Sequence, residues 1–335
     1  MNSTSLQQVE DFLHSLASDY DVRAPILLPD GTRVLGRLEE GPLAIPGGPV
    51  DSKPTSPFFP QLDRVFAHRS GRIEMQPPVD KALLVVGLTA EDAESLAFID
   101  EFFASDYRDD VYFNKRDRSV VIVVSGRCGK DDEFLKIAGG NCDLEFVCDG
   151  ERYILVPYTD SGERLARRAP EGEEGDSIAD LQAKSDALPD DDRRVLERAS
   201  RLLQEDRVPE EFWSEIADRC IACTACNLLC PTCTCFEVFD WAHGEEIERY
   251  RLWDSCQLAG FMREASGHNP MGEEHIRTRR RIHHKLAADR TRWGRISCFL
   301  CGRCDDVCPS GIGIKAVARE IVRRFGDGDH SRATA

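Results

Sequence analysis

The chain carries one arrangement twice, as Cys220-x2-Cys223-x2-Cys226-x3-Cys230-Pro231 and as Cys298-x2-Cys301-x2-Cys304-x3-Cys308-Pro309. No other feature of the sequence limits its fold so severely. Cys-x2-Cys-x2-Cys makes a tight turn that can wrap three corners of a cubane iron–sulfur cluster. The backbone N–H groups of such a turn point inward at sulfur and offset the negative charge. The fourth cysteine, three residues on and followed by proline, has left the turn. In two-cluster ferredoxins that cysteine ligates the other cluster. The spacing therefore predicts one [4Fe-4S] cluster on Cys220, Cys223, Cys226 and Cys308, and a second on Cys298, Cys301, Cys304 and Cys230. Structural zinc sites also use Cys-x2-Cys pairs. They have no use for the third cysteine or for the Cys-Pro step.

Two clusters ligated within one small domain make an electron relay and need no substrate pocket between them. Residues 231–297, between the runs, carry helical patterns and are too many for a compact β-rich ferredoxin. The clusters are therefore expected between helices, with Ile312, Ile314, Val317, Ala318, Ile321 and Val322 packing a helix that leaves the second run. Helical periods are read at 244–265, 273–290 and 312–325. No strand is expected after residue 160.

The N-terminal part reads differently. Residues 4–18 have an amphipathic helical period, and ILLPDGTRVLGRL reads as two strands around Pro29-Asp30-Gly31. Residues 41–60 are rich in proline and glycine and read as an extended loop. KALLVVGLT and SVVIVVSG are continuous apolar runs, the pattern of strands buried on both faces. A helix with Ala93, Leu96, Ile99 and Phe103 on its buried stripe separates them, which implies a parallel pair with a crossover. CDLEFVCDGERYILVPYT reads as a hairpin around Asp149-Gly150.

The expected fold is thus α+β and multidomain. A mixed α/β domain spans 1–168, and an acidic linker 169–192. An all-helical dicluster ferredoxin domain spans 193–327, with a flexible tail at 328–335.

Fourteen cysteines without a secretory signal are not a disulfide framework. The N-terminus lacks a basic region followed by an apolar core, and no apolar stretch is long enough to span a bilayer. A cytoplasmic protein is expected, with no membrane insertion. The net charge of −17 argues against nucleic acid as a partner. Basic residues cluster in RTRRRIHHKLAADRTRWGR, residues 277–295. That run reads first as a solvated helix face, with His283 and His284 exposed. A patch for an acidic partner, or for the field around a reduced cluster, is the alternative.

The motifs CPTCTCFEVFD (230–240), RYRLWDSCQLAGF (249–261), GHNP (267–270), RRRIHHK (279–285) and SCFLCGRCDDVCP (297–309) go beyond a generic two-cluster ferredoxin. With them the chain resembles, from about residue 53 to 325, the iron–sulfur beta subunits of cytoplasmic sulfhydrogenases and NAD(P)-linked nickel–iron hydrogenases. The same family includes one of the subunits of anaerobic sulfite reductase. The resemblance implies a subunit passing electrons between a flavoprotein NAD(P)H-linked partner and a metal-containing catalytic partner. It also implies a helical ferredoxin behind an N-terminal α/β domain. The sequence departs from the family at Leu88-Thr89-Ala90-Glu91-Asp92 and keeps only Cys128 near the second buried strand. Cys128, Cys142 and Cys148 read as buried small hydrophobes.

Cys233, Cys235, Cys256 and His268 lie outside the duplicated runs. The cysteines read as thiols packed beside a cluster and donating weak S–H···S bonds. The alternatives are a third metal centre near Cys233, Cys235 and Cys256, acting on a sulfur species, or a redox-active thiol pair. No glycine-rich nucleotide fingerprint, catalytic triad or His-Glu-x-x-His element appears, so the chain is not expected to be catalytic alone. A redox-controlled scaffold with structural clusters is a further reading.

Overall fold

Two apolar runs organise the N-terminal half. Strands Ala82–Leu88 and Val120–Arg127 are buried almost throughout and pair in parallel. Tyr20–Leu27 adds in parallel on one side, and Leu144–Cys148 on the other. The full sheet has nine strands. Its order runs Glu173–Glu174, Asn2–Ser5, Arg152–Pro157, Leu144–Cys148, Val120–Arg127, Ala82–Leu88, Tyr20–Leu27, Arg33–Arg37, with Phe134–Leu135 also paired to Val120–Arg127. Helix Leu6–Leu16 begins at a Ser5/Gln8 capping box and sinks Val9, Phe12, Leu13 and Leu16 into the core. Helix Ala90–Ala104 begins at a second such box, Thr89 with Asp92. Cys128 and Cys148 sit in this core, and Cys142 is also buried.

The computed structural model describes residues 2–76, 79–170, 173–174 and 177–326. The tail expected at 328–335 lies outside the described residues, as do residues 171, 172, 175 and 176 of the expected linker. The chain divides into two compact units, Met1–Leu188 with Phe236–Trp253, and Pro189–Cys235 with Asp254–Ala335.

The all-helical ferredoxin domain expected at 193–327 is overturned. Residues Phe236–His243 and Glu246–Trp253 form an antiparallel hairpin in register from Phe236↔Trp253 to His243↔Glu246. They belong to a four-stranded sheet completed by Leu62–Arg69 and Arg72–Met75. The helix expected over 244–265 does not form. Strand Glu173–Glu174 likewise follows residue 160. The reason is local. Gly244 and Glu245 close a two-residue loop with Gly244 at φ 63°, the left-handed first position of a hairpin turn that suits glycine. Its flanks, Phe236, Val238, Phe239 and Trp241 on one side and Ile247, Tyr250 and Trp253 on the other, are residues that favour strands. The first strand is exposed along nearly its whole length, so no in–out alternation marks it.

The second unit is built mainly from helices Asp191–Gln204, Glu210–Ala217, Glu274–His283 and Ile314–Phe325. Glu274–His283 continues through a wide π turn, His284–Ala288, into helix Asp289–Trp293. Phe212, Trp213, Ile282, Leu286 and Ile321 are core side chains here, and Cys220, Cys298, Cys304 and Cys308 pack against that core. The chain leaves this unit at Cys235 and returns at Asp254, where the Asp254 N–H donates to the Cys235 carbonyl at 2.9 Å.

Candidate metal centre

The two cysteine runs take the same backbone path. Ala222 and Leu300, two residues past Cys220 and Cys298, are both left-handed, with φ of 50° and 65°. Thr224 and Gly302, two residues further, are left-handed as well, at 63° and 79°. A one-turn helix follows each, Ala225–Leu228 and Arg303–Asp306. Left-handed residues between cysteines reverse successive peptides so that N–H groups face a common centre, the arrangement that receives an anion. The sulfurs collect such bonds at matching places. Ala222 N–H donates to Cys220 Sγ at 3.4 Å, and Leu300 N–H donates to Cys298 Sγ. Ile314 N–H adds one to Cys304 Sγ at 3.4 Å.

Cys220, Cys223, Cys226 and Cys308 line a single cavity, together with Gln257 and Arg281. Cys223 is exposed and so is Ile221 beside it, so this cavity lies at the surface of its unit. Cys230 lies within electrostatic reach of Cys298 and Cys304. Cys301 is half-buried on the same loop. Burial pushes the Cys298 thiol up to about 11, and raises Cys226 and Cys304 above the usual thiol range. Bare thiols here hold their protons, so taking up metal must expel them.

The cations that favour such an exchange come from the basic run. Arg277, Arg281 and Lys285 are four residues apart on one face of the helix and its π turn, and are only 6%, 4% and 5% exposed. Their burial overturns the solvated-face reading of this run. His283 and His284 are half-buried rather than exposed. Arg277 is structural, with its guanidinium donating to the Gln257 carbonyl at 3.1 Å and the Met271 carbonyl at 2.9 Å. Arg281 donates to the Ile312 carbonyl and faces Cys226, Cys304, Cys220 and Cys233. Burial works against its charge, yet these sulfurs hold its pKa above the ordinary value. Lys285 Nζ donates to Thr232 Oγ1 at 2.7 Å and faces Cys230, Cys233, Asp289 and Cys298. Burial again opposes the charge, and the sulfurs with Asp289 keep its pKa well above normal.

A buried guanidinium whose partners among the described residues are a carbonyl and sulfurs is costly unless an anion meets it. A thiolate-ligated iron–sulfur cluster is such an anion. The residues present fit the group on three counts: the paired loops, the inward N–H groups and the buried cations. A cubane spreads its ligating sulfurs over four irons. Among the described residues, no group of three or more His, Cys, Asp or Glu side chains converges as a single metal ion requires.

The extra cysteines separate into two contacts. Cys233 donates to Cys230, and its thiol, raised by that bond and then by burial, also meets Asn227 Oδ1 at 3.7 Å. Cys235 donates to Cys256. Cys256 is drawn down to about 6 by that bond first, against burial, with help from Asn227 and Gln257. Asn227 Nδ2 is 3.2 Å from Cys256 Sγ. His268 is exposed, with its N–H on Ser266 Oγ and its carbonyl accepting from Glu264. Asn227 and Thr232 make contacts to cysteines that the sequence reading missed, whereas for Arg281 and Lys285 a patch for the field around a cluster stood as the alternative to a solvated face. The four-residue spacing of Arg277, Arg281 and Lys285, interleaved with Ile282 and Leu286, was the available signal for the cations.

The two loops share one backbone path, and the outlying Cys308 of the second lines the cavity of the first. Residues 219–312 match the family model of the 4Fe-4S dicluster domain. Over 260 residues the chain is 26% identical to sulfhydrogenase 2 subunit beta of Pyrococcus furiosus, a stretch covering 72% of this chain and 75% of that protein. The family resemblance read from the sequence is borne out by these matches. No solved structure matches the chain. Among the described residues no helix is long and apolar enough to cross a membrane.

Proposed function

We propose that the chain is a cytoplasmic electron-transfer subunit holding two [4Fe-4S] clusters. Cys220, Cys223, Cys226 and Cys308 hold one, and Cys298, Cys301, Cys304 and Cys230 hold the other. The observation that carries this reading is Cys308, from the second run, lining the cavity of the first. Each cluster, when bound, supplies reversible one-electron chemistry. The protein's part is to fix the sulfurs and turn N–H groups toward them. The relative is named a sulfhydrogenase subunit, which supports placement in a hydrogenase-like or sulfur-compound-reducing complex. The partners proposed are a flavoprotein handling NAD(P)H and a metal-containing catalytic subunit. Cys233, Cys235 and Cys256 are proposed to act as hydrogen-bonding thiols, because Cys233 pairs with Cys230 and Cys235 with Cys256, while the Asn227 amide meets Cys233 and Cys256.

The test is iron and acid-labile sulfide analysis of anaerobically purified protein, with EPR after stepwise reduction. About eight irons per chain and two one-electron signals are expected. Cys308→Ala should halve the iron and remove one signal while its own loop neighbours keep the other. A count well above about eight irons would favour a third centre instead. No iron in the wild-type protein would overturn the reading.

A further inference from the structure

Buried charges near a redox centre bias the equilibrium between its oxidised and reduced forms, and two such charges are built into the second unit. Arg281 and Lys285 are one helical turn apart. Arg281 lines the cavity with Cys220, Cys223, Cys226 and Cys308, and also faces Cys304 of the other run. Its only hydrogen bond among the described residues goes to the Ile312 carbonyl, and no carboxylate among them pairs with it. Lys285 faces Cys230, Cys233 and Cys298, and donates to Thr232 Oγ1, which lies 3.4 Å from Cys230 Sγ. Thr232 is fixed in turn by its bond to the Ser297 carbonyl at 2.8 Å. Asp289 stands near Lys285 and offsets part of its charge. Asp289 is itself held by Ser297 Oγ and lies 3.3 Å from His284 Nε2.

Resting on the two-cluster reading above, we propose that Arg281 and Lys285 are positioning cations that raise the clusters' reduction potentials to different extents. One-electron reduction adds one negative charge to a cluster and leaves its bonds to the protein in place. A nearby fixed cation stabilises the reduced form more than the oxidised form, so the potential rises. Arginine keeps its charge at any working pH, and a low-dielectric surrounding lets that charge act strongly. Arg281 sees sulfurs of both sets and biases both clusters. Lys285 sees one set, with Asp289 opposing it, and biases one cluster more weakly. The pair therefore staggers the two potentials, which gives an electron relay its preferred order of filling.

The test is an EPR-monitored redox titration of the holoprotein with dithionite as reductant, on wild type, Arg281→Gln, Arg281→Lys, Lys285→Gln and Lys285→Arg. Arg281→Gln should weaken reduction of both clusters, by about tenfold for one of them, which is about 59 mV for a one-electron couple. Lys285→Gln should lower one potential, by about threefold in the equilibrium, and leave the other unchanged. The charge-keeping variants should stay close to wild type. Fully loaded Gln variants with unshifted potentials would overturn the inference while leaving the two-cluster reading intact. If Arg281→Gln takes up no iron but Arg281→Lys does, the titration of Arg281→Lys decides: potentials close to wild type support the charge-based role, and lowered ones overturn it. Loss of iron in both Arg281 variants means that the side chain is only structural there, which overturns its assigned role. A wild-type protein without iron would refute the underlying reading and not merely this one.

Discussion

Ala222 and Leu300 hold the same left-handed backbone position, each two residues past the first cysteine of its run. Neither is glycine, and a left-handed residue with a side chain costs roughly 1–2 kcal/mol. Such strain persists where the surroundings over-determine the conformation, and it concentrates at functional sites. Two runs of unlike residues, Ile-Ala and Phe-Leu between their first two cysteines, arrive at one geometry. The cysteine spacing is what the two turns share; the intervening residues tolerate the turn.

Ala222→Gly should therefore relieve strain. Relief of roughly 1–2 kcal/mol is set against the entropic cost of a new glycine, roughly 0.5–1 kcal/mol. The cluster-free protein is expected to gain up to about 1.5 kcal/mol in urea unfolding. Ala222→Val should do the reverse, because a branched residue is a genuine outlier at positive φ. Its iron content on reconstitution should drop, and a fully loaded valine variant would count against the strain argument.

The N-terminal unit contains a buried ion network of the kind that fails badly when one member is removed. Asp63 and Arg251 are each only 3% exposed. Asp63 Oδ2 accepts from Arg251 at 2.9 Å and from Lys115 at 3.0 Å, and Arg251 also reaches Asp109 at 2.7 Å. Removing Asp63 leaves two buried cations facing each other, so Asp63→Asn should cost about 3–5 kcal/mol of stability. Asp109 is partly solvated, and Asp109→Asn should cost clearly less. Urea denaturation of the pair reads the difference, and equal effects would mean that burial is not the deciding term.

How far all this could be read from the sequence follows from which interactions are local. The buried strands at 82–88 and 120–127, the Asp149-Gly150 hairpin and the helices at 6–16, 90–104 and 314–325 each announce themselves by periodicity or continuous apolarity. The cysteine runs announce themselves by spacing. The hairpin at 236–253 did not, because its outer strand is exposed on both sides and its inner strand answers to Leu62–Arg69, far away in sequence. Charged residues within it mimicked a solvated helix. For Arg281 and Lys285 the solvated-face reading fails for a related reason, and the alternative of a patch for the field around a cluster does not. Composition marks a basic run as surface, and the long-range partners that bury it, the Gln257, Met271 and Ile312 carbonyls and the cysteine sulfurs of the two runs, are not visible in it.

His284 gives the second unit a pH dependence with a definite sign. Burial first, then the neighbouring cations Lys285 and Arg280, lower its pKa to about 4 against the pull of Asp289. The folded protein keeps the ring neutral where the unfolded chain binds a proton. Between the ordinary value near 6.5 and about 4 the unfolded state therefore holds more protons, and stability falls as pH falls. The ring is 43% exposed, so solvent screening trims the effect. His284→Gln should flatten the slope of unfolding free energy across that window, measured on cluster-free protein. An unchanged slope would assign the acid sensitivity to carboxylates elsewhere.

The hairpin turn offers the cleanest check on the corrected fold. Gly244 is left-handed at φ 63°, and a Cβ added there would meet nothing within 4 Å. Any penalty for Gly244→Ala is then conformational and not steric crowding, and should be about 1–2 kcal/mol. Gly244→Asn should lose less, since asparagine enters this region more readily. If residues 244–265 were helical instead, alanine would be the better residue and Gly244→Ala would stabilise the chain by about 1 kcal/mol. The sign of the change in unfolding free energy decides between the two folds.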